Sequence, residues 1–526
     1  MSFFNPVFAF AFIPFVVIVY NLFPKKLRAG VLLAISLLFF AFVSKWLIIY
    51  LLLSIISVYV TGISISKLEE KKKEALKTVE KEEKKSVKAS YKRKEKFVLV
   101  LCIIFNVTFL FFFKYLNFFA VNANLLMDYF KIGHRITIVK HVAPIGISFY
   151  TLEALSYVLD IYYGKIEADK NILRVALYLA FFPQVLEGPI ARYSDTAKSL
   201  YEGNKVTFES FNYGYQRILY GFAKKLIIAD RLNIIVKSVF EDFNSYNGLT
   251  VFIGVAAYMI MLYMEFSGTI DIVIGIGEMF GVKVPENFRQ PFFAKNVSDF
   301  WTRWHISLGL WFKDYIFYPV SLSKSMKNLT GKAKKKLGNH YGPLVSGSVA
   351  LLAVWLLNGL WHGAGWHYIF FGLYHFFMIL MGNIFDPSVA KVCEKLHIDR
   401  HKKGYRIFQS VKMTFWVFIG ELFFRAPSLT VAFAMLRRMF DAFSFRVGEL
   451  FTLGMDRKDY VVLMIGLVGI FIMGIVHEKG ISVREEISKK KLVTRWAILY
   501  ALILVILIFG AYGQGYVPVD PIYADF

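Results

Sequence analysis

Long apolar blocks separated by charged stretches decide the class of fold open to this chain. Such blocks occupy residues 8–22, 31–43, 46–63, 97–113, 249–264, 344–357, 415–424, 461–475 and 496–512. A helix needs about 20 apolar residues to cross a bilayer core, where the backbone must satisfy its own hydrogen bonds. Soluble domains rarely contain 57% hydrophobic residues in a chain of 526. We therefore predict an all-α polytopic membrane protein with about ten or more membrane helices, some of them short or re-entrant.

The basic residues are distributed as the positive-inside rule expects of cytoplasmic loops. The net charge of +24 comes from clusters between apolar blocks, which favours contact with membrane lipid and not with nucleic acid. The segment 67–96 is dense in Lys and Glu, and we predict a cytoplasmic helix or partly disordered loop that sets topology. Binding of that segment to anionic lipid is the alternative. The basic stretches 324–336 and 484–495 are also predicted to be cytoplasmic, which puts the last helix and tail, 496–526, at the outer face.

Several classes of site are absent from the sequence. Cys102 and Cys393 cannot form a disulfide framework and have no metal-ligand spacing. No histidine pair has zinc spacing with a third ligand, so we predict no metal site. A nucleotide-binding Gly-x-x-x-x-Gly-Lys-Ser/Thr loop and a Gly-x-Ser-x-Gly elbow are also missing.

Two regions have polar residues within otherwise apolar sequence: residues 285–315 and residues 358–367. Ionisable groups at membrane depth are costly and tend to face a protein interior or a water-filled path. If 299–315 is one helix, five residues fall on one face and give His305 an aromatic wall: Trp301, Trp304, His305, Leu308 and Phe312.

His362 follows a long uncharged run and precedes Gly363 and Gly365, which let a backbone or a ligand approach closely. A neutral imidazole in such a place can act as a general base on a hydroxyl that attacks a thioester. A histidine that is hydrogen-bonded within a helix bundle fits the same residues, and the sequence chemistry leaves both interpretations open. For His367 and His375 we predict packing roles.

Six motifs together resemble the membrane-bound O-acyltransferase family, in its bacterial alginate O-acetyltransferase and D-alanyl teichoic acid transferase branch. They read PIGISFYT from Pro144, FFPQVLEGPIARY from Phe181, EFSG from Glu265, PENF from Pro285, FWTRWHISL from Phe300 and GLWHGA from Gly359. The resemblance implies one membrane domain over 1–526, with a catalytic core at 285–375 and a ring of helices around a central tunnel. It also implies that His362 is catalytic and that His305 is the second signature histidine, with tunnel-lining candidates Trp304, Trp361, Arg303 and Asp314.

The resemblance also implies a donor and a partner. We expect no bound cofactor and an acyl thioester co-substrate, acetyl-CoA or an acyl carrier protein. Lys334, Lys335 and Lys336 are candidates for donor-phosphate contacts, although a topogenic role explains them as well. Because the chain has no extracellular catalytic domain, a separate SGNH or esterase-like transferase is expected outside the membrane.

The tail ends in Tyr523-Ala-Asp-Phe526, similar to a short motif in partner peptides of the D-alanyl system. Tyr523 is therefore a candidate acyl relay, with interfacial anchoring as the plain alternative. An acyl adduct that is detected by intact mass and lost in Tyr523→Phe would support the relay, and full activity of that variant would exclude it.

The sequence predicts transfer of a short acyl group, acetyl first, from a cytosolic thioester to an extracytoplasmic polysaccharide or cell-wall polymer. D-alanyl transfer to teichoic acid is the alternative. Alginate-type members have a Gly-Gly-Asn/Ser-Arg element after the Phe-Arg-Asp-Tyr stretch, and its replacement in residues 312–324 leaves the acceptor open. A transporter or flippase is the remaining class, but it predicts internal repeats that the sequence does not show. The predicted location is the bacterial cytoplasmic membrane, with multiple passes.

Overall fold

The computed structural model describes residues 3–4, 7–140 and 142–512. In these residues all regular structure is helical, without a strand, as predicted for an all-α polytopic membrane protein. Eight helical stretches of the described chain are long and apolar enough to cross a membrane, and a shorter apolar one spans Phe8–Leu22. The expected number of ten or more membrane helices stays a prediction, because these stretches are counted by length and composition only. Two of them, Lys25–Thr78 and Lys84–Tyr129, each contain more than one helix.

The first of two compact units comprises residues 3–214 and 273–285 within the described chain. Its core includes a 16-residue helix, α6, which is buried along nearly its whole length. Eight helices belong to this unit: α1 Ile13–Leu22, α2 Lys25–Ser44, α3 Ile48–Thr78, α4 Lys84–Leu110, α5 Leu116–Tyr129, α6 Ile147–Tyr162, α7 Ile172–Ala180 and α8 Tyr193–Tyr201.

The charged segment 67–96 belongs to this unit and is helical, apart from a short turn between α3 and α4. Lys72 on α3 contacts Glu69 and lies 3.0 Å from the Oε1 atom of Glu95 on α4, a carboxylate that is almost fully buried. These ion pairs join the two helices, so the partly disordered alternative for this segment is not observed.

The second unit comprises residues 215–272 and 286–512 of the described chain. Helices α9, Phe208–Ala223, and α11, Gly248–Met279, contribute residues to both units. The other helices of the second unit are α10 Asp230–Glu241, α12 Val297–Trp301, α13 Ile306–Phe312, α14 Tyr318–Ser321, α15 Lys324–His362, α16 Trp366–Lys395, α17 Lys403–Arg425, α18 Leu429–Asp441, α19 Arg457–Glu478, α20 Val483–Ser488 and α21 Leu492–Phe509.

The predicted continuous helix over 299–315 is wrong, because the chain breaks between α12 and α13. His305 has a left-handed backbone, with φ 46° and ψ 52°, which interrupts the helical hydrogen-bond ladder. The backbone oxygen of Asn287 accepts a hydrogen bond from Ile306 N, and its side-chain oxygen accepts one from Ser307 N, each at 3.0 Å. These bonds satisfy the first amides of α13, so an upstream loop residue replaces the helical turn that the periodicity predicted.

The basic stretch 324–336 is also not a loop, because it forms the first part of α15. Gly338 has φ 78° and lies outside the helical region, so the helix folds back at this position. A hydrogen bond between the hydroxyls of Thr330 and Ser346 confirms the reversal. In a straight helix these residues would lie about 24 Å apart. The lysines are therefore on one arm of a helical hairpin whose other arm ends at His362.

Candidate catalytic site

His305 is held in the break between α12 and α13, and its side chain is 2% exposed. Asn287 is fully buried, and its Oδ1 atom accepts hydrogen bonds from Ser307 N at 3.0 Å and Ser307 Oγ at 2.9 Å. The same oxygen lies 3.3 Å from His305 Nδ1. Since Ser307 N can only donate, the shared atom is an acceptor, and His305 Nδ1 must carry the proton. Asn287 thereby fixes both the orientation and the tautomer of the imidazole.

Aromatic rings form the wall around His305. Phe266 packs edge-on at a centroid distance of 4.9 Å, and Trp361 lies at 5.6 Å. Burial lowers the pKa of His305, which is outside the eight candidate spans, to about 3. The ring is therefore neutral at ordinary pH and is too weak a base to take a proton from a hydroxyl.

His362 is the last residue of α15 and is 4% exposed. Its ring packs against Trp361 and Phe424, both at 5.0 Å, and against Phe371 at 6.0 Å. The chain then passes through Gly363, where a Cβ atom would overlap the ring of Tyr368. A side chain at Gly363 would displace Tyr368, so the glycine is required for the close packing that follows His362.

Trp361 connects the two histidines, because its ring contacts both imidazoles. It is also one of the four predicted tunnel-lining residues. Trp304 is buried and stacks on Phe300 at 5.5 Å, one layer away from His305.

The two charged candidates lie elsewhere in the second unit. Arg303 pairs with Asp299 at 3.0 Å and with Glu478 at 2.5 Å. Asp314 is half-buried on a π-helical turn, Lys313–Phe317. The ion pairs of Arg303 join α12 to α19 and give this residue a structural role.

The remaining predicted residues are not brought to the histidines. Lys334, Lys335 and Lys336 are exposed on the first arm of the α15 hairpin. Their side chains make no hydrogen bond or ion pair with any residue that the structure describes. Tyr523 lies outside the described residues.

Two interactions near the site were not predicted from the sequence. Asn287 stands in the PENF motif, and a polar residue at this place between apolar segments was the available signal. His375 on α16 is fully buried, and its Nδ1 atom accepts a hydrogen bond from Trp301 Nε1 at 3.2 Å. Phe371 contacts His375 at 4.6 Å as well as His362. His375 therefore supports the aromatic layer behind His362, which agrees with the packing role predicted for it.

A cavity of about 840 Å³ lies beside the His305 turn in the second unit. Phe288 and Ile306 line it, and Phe288 also contacts Phe266, which packs on His305. We call it the cationic cavity, because its charged lining residues are mostly basic: Arg217, Lys224, Arg289, Arg484 and Arg495, with the acidic Asp271 and Glu286.

Comparison with known proteins supports the resemblance. The sequence profile of the MBOAT, membrane-bound O-acyltransferase family matches residues 101–333. A protein named probable alginate O-acetylase from Azotobacter vinelandii is 30% identical over 479 residues, which is 90% of this chain and 85% of that protein. A peptidoglycan O-acetyltransferase from Helicobacter pylori is 30% identical over 83% of this chain and 79% of its own length.

A more distant similarity links the chain to the D-alanyl branch. A teichoic acid D-alanyltransferase from Bacillus subtilis is 29% identical over 47% of this chain and 60% of that protein. The matches to the acetylating relatives span more of both sequences, and all of these relatives are named as acyl-transferring enzymes. The chain belongs to the membrane-bound O-acyltransferase family and is an acyltransferase.

Proposed function

We propose that the chain moves a short acyl group, acetyl first, from a cytosolic thioester to a hydroxyl of an extracytoplasmic polysaccharide or cell-wall polymer, with His362 as the general base. The observation that carries the proposal is the placement of His362, a buried imidazole at the end of α15 that shares the Trp361 ring with His305. The names of the relatives favour this acceptor class, since they specify alginate, peptidoglycan and teichoic acid.

In the proposed reaction, His362 carries one proton from the acceptor hydroxyl to the leaving thiolate while the acyl group is transferred. His362 accepts the proton of the attacking hydroxyl, and the oxygen forms a bond to the thioester carbonyl carbon. The tetrahedral intermediate then loses its C–S bond, and the imidazolium returns the proton to the departing thiolate. The carbonyl end of α15 is the negative end of the helix dipole and stabilises the imidazolium during this step.

The surroundings of His362 suit such a transfer. Phe371 and Phe424 cover the imidazole together with Trp361, which limits access of water that would otherwise hydrolyse the thioester. His305, neutral and fixed by Asn287, serves as an oriented hydrogen-bonding group on the other side of Trp361 and not as a second base.

Donor, acceptor and location are further parts of the proposal. Acetyl is favoured because the alginate O-acetylase from Azotobacter vinelandii and the peptidoglycan O-acetyltransferase align over 90% and 83% of this chain, against 47% for the D-alanyltransferase from Bacillus subtilis. D-alanyl transfer to teichoic acid remains the second candidate. The donor carrier is coenzyme A or a carrier protein, the enzyme is placed in the bacterial cytoplasmic membrane, and a separate extracytoplasmic transferase, reached directly or through Tyr523, completes delivery.

A sided transfer assay tests this function. The full chain is reconstituted in vesicles, and radiolabelled acetyl-CoA or acetylated carrier protein is supplied to one face at a time with the polymer on the other. We expect label on the polymer only when donor and acceptor occupy opposite faces. The variant His362→Ala should lose activity, and His340→Ala, which changes an exposed histidine on the same helix, should keep it. Equal transfer with both substrates on one face would contradict transport of the acyl group across the membrane.

A further inference from the structure

The lining of the cationic cavity includes ion pairs in which the positive and negative groups are equal in number. Lys224 Nζ lies 2.7 Å from Asp271 Oδ2, and Arg217 Nε lies 3.0 Å from Asp271 Oδ1. Arg217 also binds both carboxylate oxygens of Glu286, at 2.7 and 2.6 Å. Two cations and two carboxylates therefore offset one another in this part of the cavity, and the net charge must come from the other lining residues.

Three arginines supply that net charge: Arg289, Arg484 and Arg495. Among the described residues of the cavity lining, Asp271 and Glu286 are the only acidic ones, and the ion pairs above already engage both. Within the residues that the structure describes, the side chains of Arg289 and Arg495 have neither a hydrogen bond nor an ion pair. Arginines that have no carboxylate partner among the described residues, such as Arg289 and Arg495, are suited to an anionic ligand with several acceptor oxygens, such as a phosphate ester.

An apolar wall of the cavity belongs to α19 and to α21, the helix that also carries Arg495. It includes Ile470 and Met473 on α19 and Ile498, Leu499 and Leu502 on α21. These two helices are candidate membrane spans, and only 6% of the span window in each is buried. Their exposed apolar faces are therefore suited to contact with lipid.

We propose that the cationic cavity binds an anionic phospholipid of the cytoplasmic leaflet. The phosphate is held by Arg289, Arg484 and Arg495, and an acyl chain lies along the apolar wall of α19 and α21. A basic pocket between membrane helices at the cytoplasmic side is the feature that recognises anionic headgroups. Arg484 and Arg495 are the two ends of the basic stretch 484–495, which is predicted to be cytoplasmic. A soluble phosphate ester has the same headgroup chemistry, but it lacks a chain for the apolar wall.

This site is distinct from the acyl-transfer site, because the described residues that line the cavity include neither His305 nor His362. The cavity nevertheless adjoins the catalytic site, so a ligand bound in it can affect that site. Ile306 and Phe288 line the cavity, and Ile306 directly follows His305. A bound lipid would thus pack against the turn that fixes His305.

Native mass spectrometry of the detergent-purified full chain, titrated with phosphatidylglycerol or phosphatidylcholine, tests the proposal. We expect preferential binding of phosphatidylglycerol, and a loss of affinity on the order of tenfold or more in the double variant R289Q/R495Q. The matched control is K490Q/K491Q, which removes the same charge from exposed residues of the neighbouring loop outside the cavity lining. Equal losses in the two double variants, or no loss in R289Q/R495Q, would overturn the site.

Two further arms separate folding effects and the source of the phosphate. The variant R289K/R495K keeps both charges and should retain phosphatidylglycerol binding, whereas a loss as large as that of R289Q/R495Q would overturn the electrostatic account. Inorganic phosphate and coenzyme A should not displace phosphatidylglycerol at equal concentration. Displacement by either would assign the site to a soluble phosphate ester and overturn the lipid proposal.

Discussion

The histidine site and the cationic cavity are neighbouring polar regions of the second unit, and their buried polar groups are stabilised in different ways. At the histidine site the groups are held by hydrogen bonds and aromatic rings, with His305 neutral and Asn287 fixing its proton. In the cavity the charges are retained, and ion pairs around Asp271 offset part of them. A base must reach its unprotonated form, which an apolar aromatic wall favours, whereas an anion site must keep its cations. This difference fits our proposals of catalysis at the histidine site and of ligand binding in the cationic cavity.

The largest effect on stability is expected from removal of the carboxylate that anchors the cavity. Asp271→Asn leaves Lys224 and Arg217 without their shared partner, and we expect the free energy of unfolding to fall by about 3–5 kcal/mol. Thermal unfolding in detergent measures the change. Glu286→Gln is the control, because Glu286 is 58% exposed and its pair should contribute about 1 kcal/mol or less. Equal stability of the two variants would show that the cavity does not depend on buried ion pairing.

The next effect concerns the residue that positions His305. Asn287→Ala removes the acceptor for His305 Nδ1 and for Ser307, so kcat should fall by roughly 10²-fold, as expected for a misplaced catalytic geometry. The KM values should change little, and Asn287→Asp should restore part of kcat because a carboxylate oxygen can still accept. Steady-state transfer kinetics provide the test. A rise in KM alone, at constant kcat, would assign Asn287 to substrate binding instead.

A pH effect follows from the neutral state of His305. Its pKa in the folded chain, about 3, lies below the ordinary value of 6.5, so its contribution to stability is complete above pH 6.5 and is lost as the pH falls toward 3. The free energy of unfolding should decrease by about 1.4 kcal/mol for each pH unit in this range from this group alone. Unfolding of wild type and His305→Gln between pH 7 and 4 measures the difference, and parallel pH curves for the two proteins would contradict a buried neutral His305.

The smallest effect is expected at the exposed lysines. Neutralising Lys334, Lys335 and Lys336 to Gln should raise the apparent KM for the donor a few-fold, in the range of exposed charge contacts. Donor kinetics in vesicles at low and moderate salt provide the measurement. An unchanged donor KM would leave these lysines with a topogenic role only.

Much of the fold and part of the site could be predicted from local sequence. The lengths of the apolar blocks predicted the helical membrane class. The Trp-His-Gly motif led to His362, which is buried among aromatic rings. The break before α13 could not be predicted from periodicity, because its cause is Asn287, 18 residues upstream of His305.

Long-range pairing explains the other differences. The reversal of α15 at Gly338 depends on a glycine with positive φ that local helix propensity does not reveal. The carboxylates Glu265 and Asp271 lie inside an apolar helix, and their partners Lys225 and Lys224 come from a π-helical turn about 40 residues earlier along the chain. Such pairs become visible only when the helices are packed together.

The acyl-transfer rate of His362→Gln, compared with that of His375→Gln, tests the catalytic assignment most directly. Both residues are buried histidines in the same aromatic layer, so loss of packing should affect them similarly. We predict that His362→Gln lowers kcat by about 10²- to 10⁴-fold, as expected for loss of a general base, while His375→Gln retains kcat within about tenfold. Near-normal transfer by correctly folded His362→Gln, or equal losses in both variants, would contradict His362 as the base.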